Sequence, residues 1–197
     1  MTSEQFKIFW ESAYPETIPI FHYLKHDYPD RWFRIHSLPG SKRYVETQDE
    51  WNILLDRQNT IISDLLGEEL NVIMVTGDSK QEGLIELHPI SAVDSIKSFS
   101  FKELDPFDLY DLNPGFYEKG QIYTPIFTEQ AWNTDKFKQI LKDIAEEQLE
   151  AFFISIDNNC IFAPYDGGMD IILKDTLIRN QYKTKYSSWL SPREDGL

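Results

Sequence analysis

The stretch from Thr47 to Thr76 constrains the fold more than any other part of the chain. Across residues 48–66, Trp51, Leu54, Leu55, Ile61, Ile62, Leu65 and Leu66 recur at helical spacing, interrupted only by Gln58. Thr47 and Glu50 have the spacing of a capping box, and Gly67 stands where a left-handed stop belongs. Directly afterwards, residues 70–76 (Leu-Asn-Val-Ile-Met-Val-Thr) read as a buried strand. With so short a link, the helix must pack against the sheet that this strand enters.

The same logic extends to both ends. Residues 3–12 suit a helix capped by Ser3, and 18–26 a second short helix. Arg31–His36 has the aromatic and branched residues of a strand that stops at Pro39-Gly40. Further strands are expected near 84–87, 98–104 and 121–127, with a long acidic, aromatic loop at 103–118 broken by two prolines. A second amphipathic helix, started by Asn133 or Thr134, runs to about 149 and turns Phe137, Ile140, Leu141, Ile144, Ala145 and Leu149 inward. Three short strands follow at 151–156, 160–163 and 169–173, joined by Asp157-Asn158-Asn159 and Tyr165-Asp166-Gly167-Gly168, residues that permit tight antiparallel reversals. A final helix at 174–189 precedes a polar tail. The expected architecture is one α+β domain over residues 1–197: a mixed, largely antiparallel sheet with the 48–66 and 134–149 helices packed against it.

Charge narrows the function. Nineteen lysines and arginines against 33 aspartates and glutamates give a net charge of −14. A nucleic-acid surface must neutralise phosphates, so this balance argues against one and favours basic protein partners. Cys160 is the only cysteine, which excludes an internal disulfide, and its apolar strand setting suits a buried, inert thiol. The first residues lack the basic flank and apolar run of a secretion signal, and no segment approaches the ~20 apolar residues that span a bilayer. A cytoplasmic protein is expected.

Tests for chemistry are mostly negative. There is no G-x-S-x-G elbow, Walker loop or dinucleotide-binding glycine fingerprint. His22 and His26 have the spacing of two ligands on a helix, but no H-E-x-x-H glutamate accompanies them, so no metal or cofactor is assigned. Asp166 and Asp170 flank a double glycine, and paired carboxylates can act as acid and base. The simpler reading is a turn in which Asp166 bonds the backbone, Gly167 and Gly168 supply unusual dihedrals, and Asp170 points outward from a strand whose Met169, Ile171 and Leu173 alternate with it. Arg31, Arg34, Lys42 and Arg43 form the one basic island and are expected to pair with the chain's own carboxylates. The 103–118 loop offers the best partner-binding residues, Asp105, Phe107, Asp108, Tyr110 and Asp111, because carboxylates alternate with large aromatics. The competing reading tucks Phe107, Tyr110 and Phe116 under the loop.

Residues 160–173, with the Pro164-Tyr-Asp-Gly-Gly-Met-Asp-Ile171 run, and the Trp189-Leu-Ser-Pro-Arg-Glu-Asp-Gly-Leu197 ending give the chain a resemblance to a family of uncharacterised bacterial proteins. The Arg31–His36 strand and Arg57-Gln58-Asn59 add to it. In character the chain is similar to immunity proteins encoded beside polymorphic or contact-dependent toxins. That similarity implies a non-enzymatic partner that occludes the basic active site of a toxin domain. The alternative is an enzyme or small-ligand protein with a site around Tyr165, Asp166, Asp170, His36 and Arg34.

Overall fold

The computed structural model describes residues 1–68, 70–81 and 90–193. Its helices are α1 (Ser3–Ala13), α2 (Phe21–Asp27), α3 (Gln48–Leu66), α4 (Leu109–Leu112), α5 (Thr134–Ala145) and α6 (Thr176–Lys185). The strands are β1 (Trp32–His36), β2 (Asn71–Gln81), β3 (Lys102–Glu103), β4 (Phe107–Asp108), β5 (Gln121–Ala131), β6 (Phe152–Ser155), β7 (Cys160–Pro164) and β8 (Gly168–Ile172). They form one sheet in the order β1-β8-β7-β6-β2-β5-β3, with β4 also paired to β5. Every described pairing is antiparallel, so the fold is α+β.

Alternation along the strands serves two cores. Phe33, Ile35, Met74, Phe153, Phe162, Met169 and Ile171 face the layer built by α3 and α5, including Leu54, Ile61, Phe137 and Ile140. The intervening residues Ile73, Val75, Phe152, Ile154, Ile161 and Ile172 face Phe6 and Trp10 of α1 and Leu24 of α2. The sheet is therefore covered on both faces, which the sequence reading, with two helices named against it, did not distinguish.

Local signals placed most elements. In α3, Thr47 Oγ1 accepts from the Glu50 amide at 3.2 Å while Glu50 Oε2 accepts from the Thr47 amide at 3.2 Å. Gly67 closes that helix at φ 59°. Gln58, the interruption in the apolar stripe, is fully buried and donates to Ser37 Oγ at 3.0 Å. In α1 the cap is Thr2 rather than Ser3, with Gln5 completing a capping box; Ser3 Oγ instead donates to the Glu103 carbonyl at 2.7 Å. The second amphipathic helix ends at Ala145 rather than 149. Glu147, at φ 58°, donates to the Ile144 carbonyl and Gln148 to the Asp143 carbonyl, the pattern that turns a chain out of a helix.

The strands differ most in length. β2 and β5 run for eleven residues each, in register from Asn71↔Ala131 to Gln81↔Gln121. The strand expected at 98–104 shrinks to Lys102–Glu103, and the one at 84–87 lies outside the described residues, as does the end of the tail from 194. The supposed 103–118 loop is partly regular, because β3, β4 and the single turn α4 edge the sheet along β5.

Cys160 is buried in β7, and burial pushes its thiol up to about 12. At pH 8 only on the order of one molecule in ten thousand would carry the reactive thiolate, even if reagent could reach it. Native protein is expected to be silent towards a thiol-reactive disulfide reagent for hours, and to titrate one thiol at once in strong denaturant. Fast reaction of the native protein would contradict this packing.

Candidate functional site

The Tyr165–Asp170 segment is the tip and first part of the β7–β8 hairpin. Tyr165 N donates to the Gly168 carbonyl at 2.9 Å, closing the turn. Neither Gly167 nor Gly168 adopts a left-handed φ, contrary to the expectation that the pair supplies unusual dihedrals. Glycine is required at 168 by close approach instead, because a Cβ there would stand 2.1 Å from the Ile35 carbonyl oxygen of β1. At 167 the neighbours are side chains, Tyr165 and Arg43.

Asp170 is also placed differently. It points not to solvent but into the layer under α1 and α2, where its side chain is 8% exposed. Arg34, its register partner on β1, donates to it from Nε at 2.6 Å and Nη2 at 2.8 Å, and Trp32 Nε1 donates at 3.0 Å. The Arg34 guanidinium also lies over the rings of Tyr165, at 4.7 Å, and Trp32, at 5.6 Å. Asp166, equally buried, accepts from Arg43 Nε rather than from the backbone. Three of the four members of the basic island pair with the chain's own carboxylates, Arg34 and Arg43 with these aspartates and Lys42 with Glu46 and Glu50, whereas Arg31 Nε donates to the Leu173 carbonyl at 2.5 Å. A carboxylate held by three donors, as Asp170 is, serves as an anchor and has little acceptor capacity left for proton abstraction.

Arg34, Arg43, Tyr165, Asp166 and Asp170 line a cavity of about 280 Å³, whose opposite wall is His22 and Lys25 of α2 and Glu147 and Glu150 after α5. His36, grouped with them from the sequence, is not among its lining residues; its Nε2 is buried without a hydrogen-bond partner, and burial followed by the Arg34 and Arg57 charges lowers its pKa. A larger cavity, about 1030 Å³, adjoins the first and shares His22, Glu147, Leu149 and Glu150 with it. Tyr117, Tyr123 and Phe116 contribute its aromatic surface. Sequence reading missed this cleft, since Glu147 and Glu150 follow a helix terminus, Asp78 and Lys80 come from β2, and its tyrosines come from an edge loop and β5. His22 Nε2 sits 2.9 Å from Tyr117 Oη, within α2 as expected. Burial lowers the His22 pKa further than the Lys25 and His26 charges do. Among the described residues no group of three or more His, Cys, Asp and Glu could hold a metal ion, and no helix is long and apolar enough to cross a membrane.

The residues proposed for partner binding separate. Asp105 and Phe107 line a groove of about 310 Å³ between α1 and the 103–107 segment. Phe6 and Trp10 also line it, beside Glu4, Glu11 and Glu103. Lys7 is the one cation there and bridges to Asp105 at 3.3 Å. Asp108 faces inward to the chain, accepting from the Tyr110 amide at 3.0 Å to cap α4. Tyr110 is half-buried with Lys119 5.4 Å over its ring, Asp111 is exposed, and neither lines the groove. Phe116, far from tucked in, is 77% exposed.

Fold and geometry define an α+β domain with a buried Arg34–Asp170 anchor, an acidic groove on one layer and a separate aromatic cleft. The chain belongs to the DUF3885 family, a domain of unknown function, which it matches over residues 20–194. No curated protein and no solved structure matches it.

Proposed function

We propose that this protein is a cytoplasmic binding protein that neutralises a basic partner domain, in the manner of an immunity protein against a bacterial toxin. The observation that carries this reading is the groove between α1 and residues 103–107, where four exposed carboxylates, Glu4, Glu11, Glu103 and Asp105, stand around the half-buried Phe107, with the buried Phe6 and Trp10 beneath. Aromatic area excludes water from such a contact, and the carboxylates steer and orient a cationic surface. Within the chain, the Lys7 ammonium already pairs with Asp105 at 3.3 Å. A partner's lysine or arginine would compete for the same carboxylate.

The test is co-expression with the product of the adjacent gene, expressed first alone to see whether it is toxic, followed by binding measurements on the purified pair. Growth should be rescued. Reversing Glu103 and Asp105 together to lysine should weaken binding by about tenfold to a hundredfold, with the wild-type affinity falling as salt rises and that of the variant falling less. These side chains are exposed, so the variant should keep its thermal midpoint within a few degrees. No rescue, or undiminished affinity in the variant, would remove the groove from the interface.

A further inference from the structure

Arg34 is held along one edge of its guanidinium and free along another. Asp170 takes hydrogens from Nε and Nη2, while Nη1 donates to no described residue and is not sealed in the core. A guanidinium is a rigid fork of five donors, so one whose side edge is clamped still offers its end-on edge, already oriented. Stacking fixes the plane of that edge, because the Arg34 guanidinium lies 4.7 Å from the Tyr165 ring. The glycine pair makes room for the ring: a Cβ at 168 would stand 2.9 Å from Tyr165 Oη, and one at 167 would stand 3.1 Å from the ring. Tyr165, Gly167, Gly168 and Asp170 therefore act together on one side chain, which a plain chain reversal does not require.

The cavity of about 280 Å³ that Arg34 and Tyr165 line holds two further unused donors. Tyr165 Oη has no partner among the described residues and is not sealed from solvent. Lys25, half-buried on the opposite wall, pairs with no described carboxylate. The remaining polar groups are accounted for: Arg43 engages Asp166 and Glu147, and His22 meets Tyr117. Glu150 is exposed, as is Glu147. Three cations against four carboxylates leave the lining with one negative charge in excess, which disfavours a phosphate or any other polyanion.

We propose that this cavity binds a small free carboxylate, whose oxygens meet the end-on edge of Arg34 while Tyr165 Oη and Lys25 Nζ complete its hydrogen bonding. Arginine recognises planar carboxylates through two parallel donors, and an aspartate brace removes the cost of orienting it at the moment of binding. A volume just below the roughly 300 Å³ at which ligand pockets usually begin suits a molecule of a few heavy atoms. The cavity shares no lining residue with the α1 groove, so the proposal stands whether or not that groove meets a toxin.

Titration of the intact protein with butyrate and 4-aminobutyrate, followed by amide nuclear magnetic resonance, tests this; butyramide is the neutral counterpart and inorganic phosphate the polyanion. Saturable shifts at Arg34 and at residues 165–170 are expected with both carboxylates, with weaker binding of phosphate and none of butyramide. Tyr165→Phe keeps the ring over Arg34 and removes only the hydroxyl, so it should bind butyrate about threefold to tenfold more weakly at an unchanged thermal midpoint. Lys25→Gln should weaken it by a similar factor. Absence of saturable binding by both carboxylates, equal binding of butyramide, tighter binding of phosphate, or full affinity in the Tyr165→Phe, Lys25→Gln double variant would overturn the proposal. Both substitutions spare the Asp170 clamp, and the comparison among ligands needs no variant at all.

Discussion

Asp170→Ala is expected to destabilise the protein by about 3–5 kcal/mol, the cost of stranding a buried guanidinium without its counter-charge. The Arg34 side chain is only 13% exposed, so water cannot replace what the aspartate provides. Three donors would lose their acceptor together: Arg34 Nε and Nη2 and Trp32 Nε1. Urea unfolding followed by circular dichroism would show the midpoint falling at an unchanged slope. The double substitution Arg34→Met with Asp170→Leu should regain most of the loss, because a buried pair often contributes little beyond an apolar pair of similar volume. If Asp170→Ala cost less than about 1 kcal/mol, the pair would have to be solvated, and the layer under α2 open.

Gly168→Ala should be as damaging for a different reason. The added methyl would stand 2.1 Å from the Ile35 carbonyl oxygen, a backbone atom that can retreat only if β1 leaves β8. That movement would also strain the hydrogen bond from Ser37 N to the Gly167 carbonyl. A loss of several kcal/mol, or failure to accumulate as folded protein, is expected. Gly67→Ala is the contrasting case: open space surrounds it and only its backbone, at φ 59° and ψ −124°, opposes a side chain, so about 1–3 kcal/mol should be lost. Thermal denaturation of the two variants side by side separates close approach from backbone preference; equal effects would refute the distinction.

These positions also explain what could be read from the sequence and what could not. The capped helix α3, the strand after it, α5 and the C-terminal meander were legible because each carries a local signal: a cap, a period, a turn. Asp170 was misjudged because alternation tells which residues share a face without telling what covers that face. Met169 and Ile171 look into the α3 and α5 layer, and Asp170 looks into the layer under α1 and α2. The signal was present in β1, where Trp32 and Arg34 alternate with Phe33 and Ile35 as a matching polar row. Recognising it requires knowing that β1 pairs with β8, a contact between distant parts of the chain.

The same distance hid the clefts. Asp105 and Phe107, expected from the sequence to meet a partner, line a groove that Glu4 and Glu11 complete from a hundred residues away. Gly167-Gly168 looked like turn chemistry because that is the commonest use of such a pair, whereas at 168 the demand comes from a neighbouring strand. Glu150 carried no signal at all, lying just past a helix whose last turn the periodicity overran.

The pairing of β1 with β8 also bears on how the chain is made. Trp32 meets Ile172, and Phe33 meets Ile171, so β1 has no strand partner until β8 has been synthesised. Its core-facing Phe33 and Ile35 must wait, along with the α1 aromatics that depend on β6 and β7 for their floor. Contacts of such long range favour slow maturation and a nascent intermediate with sticky, unpaired segments at its leading end.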